Sequence, residues 1–234
     1  MSNPASPVTG DAKGPRLATA PPTLSRRAML TVHHLTYSRS TRVLWLLEEI
    51  GAPYRLVRYE RDAQFRAPPE LKAVHPLGKS PVVEDGGLVI GESAVILSHI
   101  DQAYGGGRFT PGEEAERLRH EEWLQYVEST AAFPIMISAI GKRVGLSDGM
   151  AAFVGSPLAR TLDLIASAVA GEGFVTGDAL RLADIQFVYV LEMANHAGLL
   201  ANRPEISAYL ERLKRRPALV RALEIGGPMA PPKT

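Results

Sequence analysis

The residues best equipped for chemistry fall in two short stretches. In GKSPVVEDGGLVIGES, Gly78 to Ser93, Lys79, Ser80 and Pro81 precede two short apolar runs, and Glu92 and Ser93 follow them. A cation, an acid and two hydroxyls so close together can meet charges of both signs. A proline beside strand-like residues is unusual, because it cannot donate to a ladder. A Glu-Ser pair opening an apolar helix can also be a simple cap. The second stretch carries the hydroxyls of Tyr37, Ser38 and Ser40, with Arg39 and Arg42 beside them. Ser38 or Ser40 would make a good N-cap for the apolar helix that follows. The two arginines raise the local positive potential or are surface charges.

Composition removes other chemistries. With 26 basic and 25 acidic residues the formal net charge is +1. That balance argues against nucleic acid or an anionic membrane as the main partner, since either favours a basic patch. The 234 residues contain no cysteine, so disulfides, thiolate zinc sites and a cysteine nucleophile are all excluded. Of the six histidines, His33 and His34 point to opposite faces of a strand and the rest are scattered, so no metal site is expected. Ser25 to Leu30, SRRAML, looks like a twin-arginine signal, but the polar TVHHLTYSRSTR follows it. No apolar run reaches the ~20 residues a membrane span needs, and a cytoplasmic protein is expected.

These residues need elements to hold them. Residues 1–28 are rich in Pro, Ala, Ser, Gly and Thr without apolar periodicity, the composition of a disordered extension. LTVHH (30–34) is strand-like. Val43, Leu46, Leu47 and Ile50 then form one helical face that Gly51 stops. YRLVRY (54–59) is a strand and PPELKAV (68–74) a short helix. PVV and LVI flank a tight turn, and a helix runs from Glu92 to about Tyr104. The order β-α-β-α-β-β-α implies a parallel pair joined by a crossover, then an antiparallel hairpin. Beyond Pro111-Gly112 the pattern is helical throughout. One long stretch carries Pro134, which should kink or interrupt it, and helices are expected at about 157–170, 181–198, 204–215 and 217–225.

SRSTRVLWLLEEIGAPY (38–54), HPLGKSPVVEDGGLVIGESAVIL (75–97) and GDALRLADI (177–185), in this order and spacing, resemble the cytosolic glutathione S-transferases. The wording is closest to a bacterial and fungal subgroup that includes a yeast membrane-associated transferase. The resemblance implies an α/β thioredoxin-like N-terminal domain followed by an all-α C-terminal domain. Its bounds would be an extension at 1–28, the glutathione-binding domain at 29–105, a linker at 106–112, the helical domain at 113–228 and a tail at 229–234.

It implies further that Pro81 is cis and that the backbone of Ser80 meets the cysteinyl part of glutathione. Ser93 would hold the γ-glutamyl carboxylate, Glu92 its ammonium group, and Lys79 the glycyl carboxylate. Ser38, with Tyr37 as the alternative, would stabilise the thiolate. Tyr126, Ser129, Phe133 and Met136 would lie near a small hydrophobic electrophile. The implied protein is a detoxifying homodimeric transferase with glutathione as co-substrate and no metal. The alternatives are a glutathione-dependent peroxidase and a non-catalytic interaction or ligand-binding module. In the family's capping box a Ser or Thr stands three residues before Asp184; here Arg181 does, so only half of the box is expected.

Overall fold

The computed structural model describes residues 29–232; the expected extension at 1–28 lies outside them. The first half is a four-stranded sheet in the order β2-β1-β3-β4. Strands β1 (Leu30–Leu35) and β2 (Tyr54–Tyr59) are parallel and joined through helix α1 (Thr41–Ile50). After α2 (Glu70–Val74), β3 (Val82–Asp85) lies antiparallel to β1, and β4 (Leu88–Ile90) antiparallel to β3. Gly86 and Gly87 make the two-residue turn with φ of 58° and 88°. Two consecutive positive φ values match the strand twist in such a turn, and glycine adopts them without steric penalty.

The first half closes with α3 (Ser93–Ile100), which continues as a π-helical turn over Asp101–Gly105. The second half is helical: α4 (Glu114–Tyr126), α5 (Ala132–Val144), α6 (Asp148–Ala168), α7 (Leu182–His196), α8 (Pro204–Lys214) and α9 (Pro217–Gly226). This is the thioredoxin-like plus all-α architecture that the resemblance implied.

Between α4 and α5 the chain does not break at Pro134. It widens into a π turn over Val127–Ala131. Pro134 has no N–H for the carbonyl of Thr130, and that carbonyl falls inside the wider turn. Helix α6 begins nine residues before the expected 157 and carries Pro157 within it; Ser147 caps it, accepting from Met150 N–H at 3.3 Å.

The two halves share one core. Thr41 to Leu47 of α1 are all buried, because α1 packs against the sheet and α3 on its own half and against α7 and α9 on the other. Helix α7 is buried from Leu182 to Leu191. Its start is the expected half box: Arg181 N–H donates to Asp184 Oδ2 at 2.8 Å, while the guanidinium, having no acceptor, donates to Arg108 O at 3.2 Å. Asp184 also receives Val175 N–H at 2.9 Å and the Tyr209 hydroxyl at 2.5 Å, which ties α7 to α8 and to the preceding loop.

His120 on α4 is 1% exposed, and neither ring nitrogen has a hydrogen-bond partner among the described residues. Burial, with Arg181 adding to it, lowers its pKa to about 4. Between about pH 6.5 and pH 4 the unfolded chain takes up a proton there that the folded chain does not. Stability therefore falls as pH drops through that window, by up to about 3 kcal/mol. Replacing His120 with Leu should flatten this part of the stability–pH profile, as read by urea unfolding at pH 7, 5.5 and 4.5; an unchanged slope would rule the group out.

Candidate functional site

Five of the residues singled out in the sequence line one cleft. Lys79, Ser80 and Pro81 form one wall and Glu92 and Ser93 another, around a volume of about 260 Å³ that Arg39 and Glu128 also border. The Ser80–Pro81 peptide is cis. Because Pro81 cannot extend the β1–β3 ladder, the Ser80 side chain does so: its hydroxyl donates to His33 O at 2.8 Å and accepts Leu35 N–H at 3.2 Å. The loop before β3 is thereby pinned to the end of β1, with Ser80 at the cleft wall.

On the other wall, Glu92 has φ 63°, ψ 115°, and its side chain makes no cap bond to α3. A non-glycine residue in that region costs about 1–3 kcal/mol and persists only where its surroundings impose it. Ser93 follows as the first residue of α3, where free N–H groups and the helix dipole favour an anion. Its hydroxyl oxygen accepts from Arg42 Nη1 at 3.1 Å and lies 3.4 Å from Gln186 Nε2. The hydroxyl hydrogen remains available to a ligand.

An adjoining hollow of about 300 Å³ shares Arg39, Lys79 and Ser80 with the cleft and is lined also by Ser38 and Tyr189. Ser38 does not cap α1, and Ser40, at the N-cap position, makes no side-chain cap bond either. Their hydroxyls face each other instead at 2.7 Å, Ser38 Oγ accepts Ser40 N–H at 3.2 Å, and Ser40 Oγ lies 2.8 Å from His34 Nδ1. The ring of Tyr37 stacks on Phe65 with centroids 5.7 Å apart, while its carbonyl receives Arg61 Nη2 at 3.1 Å. The structure thus places Ser38 in one hollow with Lys79 and Ser80, next to the cleft of Glu92 and Ser93, and gives Tyr37 a separate ring partner. Of the residues expected near an electrophile, Ser129 donates to Gln125 O, Tyr126 packs edge-on against Trp123, and Phe133 is half exposed against Phe153.

The sequence did not disclose what holds the walls together. Arg42 is not a surface charge; it is completely buried between the halves, and burial lowers its pKa to about 10. Its Nη1 pairs with Glu128 Oε1 at 2.5 Å, and Arg39 Nε donates to both oxygens of the same carboxylate at 2.9 and 3.0 Å. Glu128 sits on the π turn before α5. Burial alone would raise its pKa, but Arg42 and Arg39 outweigh that and hold it below the usual carboxylate range. Both guanidinium groups lie over the Tyr189 ring of α7, 5.3 and 5.6 Å from its centroid. An arginine beside an apolar helical run carries no mark of burial, so only its partners on other elements could reveal this role.

Removing Glu128 leaves Arg42 buried and unpaired. Glu128→Ala should destabilise the fold by about 3 kcal/mol, the low end for a broken buried pair because the carboxylate side is partly open to solvent. A depressed carboxylate pKa contributes stability that is present above the unfolded value of about 4.3 and lost as pH falls through the folded one. Glu128→Gln should therefore lose less than Ala at pH 7 and weaken the acid limb below about pH 4. Denaturant midpoints of the three proteins at pH 7 and pH 3.5 decide it, and equal losses at both pH values would contradict the assignment.

Comparison with known proteins bears on this geometry. A family model described as "Glutathione S-transferase, N-terminal domain" matches residues 28–102. Glutathione S-transferase 3 of Schizosaccharomyces pombe is 45% identical over 104 residues, a match spanning 44% of this chain and 42% of that protein. Glutathione S-transferase 1 of Saccharomyces cerevisiae is 34% identical over 212 residues, covering 79% of this chain and 90% of that one. A glutathione S-transferase structure from Actinobacillus pleuropneumoniae superposes with a TM-score of 0.77 at 32% identity, covering 85% of this chain and 93% of that one. With the same two-part fold and similarity along most of its length, the chain belongs to the glutathione S-transferase family.

Proposed function

We propose that this glutathione transferase binds glutathione in the cleft between residues 79–81 and 92–93, stabilises its thiolate with Ser38 and joins it to a small electrophile. The observation that carries the reading is the meeting of Lys79, Ser80, Pro81, Glu92 and Ser93 around one cleft, with the side chains of Glu92 and Ser93 not used for capping. The free N–H groups and hydroxyl at Ser93 suit the γ-glutamyl carboxylate, Glu92 suits the ammonium group, and Lys79 suits the glycyl carboxylate. The Ser80 backbone beside the cis-proline meets the cysteinyl part as an added strand would. This chain's residues bind and orient the tripeptide; no metal is invoked.

The reactive sulfur species is the thiolate, so a donor fixed near sulfur lowers the barrier by favouring it. Ser38, at the hollow that continues the cleft, is better placed than Tyr37, whose ring stacks on Phe65. The electrophile then gains from proximity. A second cleft of about 350 Å³ between α5, α7 and Pro231–Pro232 is the proposed seat for it, lined by the apolar Ala139, Ile140 and Met193 and by the basic Lys142, Arg143 and His196. Arg143 lies 5.9 Å from the centroid of Phe65, whose ring stacks on Tyr37 next to Ser38.

The protein is read as a cytoplasmic detoxification enzyme working as a homodimer, which the exposed Leu88, Val89 and Val95 on β4 and α3 would support as a face covered by a second copy. Among the described residues no helix is long and apolar enough to cross a membrane.

Glu92→Ala and Ser93→Ala should each weaken glutathione binding about tenfold or more by calorimetry, the loss of a charge-assisted contact. Ser38→Ala should leave affinity within about a factor of two while reducing kcat/KM by about 10²-fold, the usual cost of deleting a single donor to a developing anion. Unchanged affinity in the first two would refute the binding site. Full activity in Ser38→Ala, with loss in Tyr37→Phe, would move the thiolate donor to Tyr37.

A further inference from the structure

Behind Ser38 lies a closed line of hydrogen bonds that thiolate stabilisation alone does not explain. His34, the penultimate residue of β1 and 1% exposed, has its Nε2 2.8 Å from the carbonyl of Gly226 at the end of α9. Its Nδ1 is 2.8 Å from Ser40 Oγ, and Ser40 Oγ is 2.7 Å from Ser38 Oγ. Ser38 lines the hollow that joins the glutathione cleft. The line therefore runs from the cleft wall, through two hydroxyls, to a wholly enclosed imidazole.

Its polarity can be worked out atom by atom. A carbonyl oxygen only accepts, so His34 Nε2 carries a hydrogen. Burial, partly offset by the Gly226 carbonyl, lowers the His34 pKa, so at neutral pH the ring is neutral and Nδ1 is bare. Ser40 must then donate its hydrogen to Nδ1 rather than to Leu35 O, which is 3.4 Å away. With that hydrogen committed, the 2.7 Å contact requires Ser38 to donate to Ser40. Ser38 also accepts Ser40 N–H at 3.2 Å. At rest, then, the hydrogen of Ser38 points inward and a lone pair is what it offers to the cleft. In that state Ser38 can accept from a thiol but cannot donate to a thiolate.

Turning the Ser38 hydrogen outward alone would leave two hydroxyl oxygens 2.7 Å apart with no hydrogen between them, so outward donation that keeps the line bonded reverses every link. Ser40 must donate to Ser38, and Nδ1 must donate to Ser40, which a ring already protonated at Nε2 does only as imidazolium. We propose that His34 is the acceptor of the proton given up by the glutathione thiol, received through Ser38 and Ser40. The proposal rests on the reading of Ser38 as the residue facing sulfur.

The step balances. The thiol proton passes to Ser38 Oγ, the Ser38 proton to Ser40 Oγ, and the Ser40 proton to His34 Nδ1. The products are a thiolate accepting from Ser38 and an imidazolium whose two N–H groups donate to Ser40 and to Gly226. When the thiolate's electron pair forms the new carbon–sulfur bond, the relay runs back and the proton leaves outward, to solvent or to the departing group.

The surroundings fit a base that is empty at rest and can be filled. Arg58 on β2 opposes a positive ring and Glu60 just beyond it offsets part of that; α1 contributes the Ser40 hydroxyl and α9 the Gly226 carbonyl. Gly226 is a close-approach glycine: a Cβ there would come within 2.9 Å of His34 Cε1 and 2.7 Å of Leu44 Cδ1. Any larger residue would push the ring away from the carbonyl that fixes its tautomer.

The test is a proton count. Glutathione is bound to the full-length protein at pH 7, thiolate is quantified by its ultraviolet absorbance, and proton release is measured calorimetrically in buffers of different ionisation enthalpy. S-methylglutathione, which has no thiol proton, gives the contribution of the other groups. The expected result is thiolate formation with well under half a proton released per thiolate, together with imidazolium ¹⁵N shifts at His34. Ser40→Ala, which cuts the relay without touching a cap bond, should release a full proton per thiolate or keep binding while losing thiolate. A full proton released by the unaltered protein, with His34 still neutral, would overturn the relay and leave Ser38 as a simple donor. Bound glutathione with no thiolate at all would instead overturn the reading of Ser38 on which the relay rests.

Discussion

A single buried cation organises the site. Arg42 has no exposure to solvent, and an isolated guanidinium there would be unfavourable by several kcal/mol. It is held through Nη1, which pairs with Glu128 and donates to Ser93, and by the Tyr189 ring beneath it, while its Nε and Nη2 have no hydrogen-bond partner among the described residues. Those three residues come from the π turn before α5, from the start of α3 and from α7. Satisfying one charge therefore fixes the relative position of the helical half and the wall that carries Glu92 and Ser93. The cleft is a by-product of where Arg42's partners must stand.

The same logic runs along the rest of the interface. Arg216 donates to both oxygens of Glu49 at 2.6 and 2.9 Å, Arg221 reaches Glu48 at 3.1 Å, and His34 reaches Gly226 at 2.8 Å. Each bond links the sheet half to the last helix or the loop before it. The thioredoxin-like half thus does not present a finished site to a separate helical domain. Its first strand and helix are completed, hydrogen bond by hydrogen bond, by residues far along the chain.

That division explains which parts were legible in the sequence. Helix α1, the β3–β4 hairpin and the start of α3 rest on neighbours within a few residues: apolar spacing from Val43 to Ile50, the Gly86-Gly87 turn, the Glu92-Ser93 start. Local chemistry determines such elements, and they were found. The start of α6 was expected at about 157 and lies at Asp148, although Ser147-Asp148 carried the cap signal. Arg42, Glu128 and the His34–Ser40–Ser38 line were not legible at all. Their meaning depends on partners 86 and 192 residues away, and no local pattern marks an arginine that will be enclosed or a serine whose hydroxyl will turn inward instead of capping. Met229, in the segment taken for a tail, is buried in the core for a similar reason: its contacts are entirely tertiary.

The central claim is that the cleft holds glutathione with its sulfur as thiolate beside Ser38. Titrating the ultraviolet absorbance of the saturated complex against pH tests it most directly. The account predicts a thiol pKa for bound glutathione at least about one unit below that of the free tripeptide, equivalent to about 1.4 kcal/mol of preferential thiolate binding. Saturating binding with an unshifted pKa would contradict it, leaving a protein that carries glutathione without activating it.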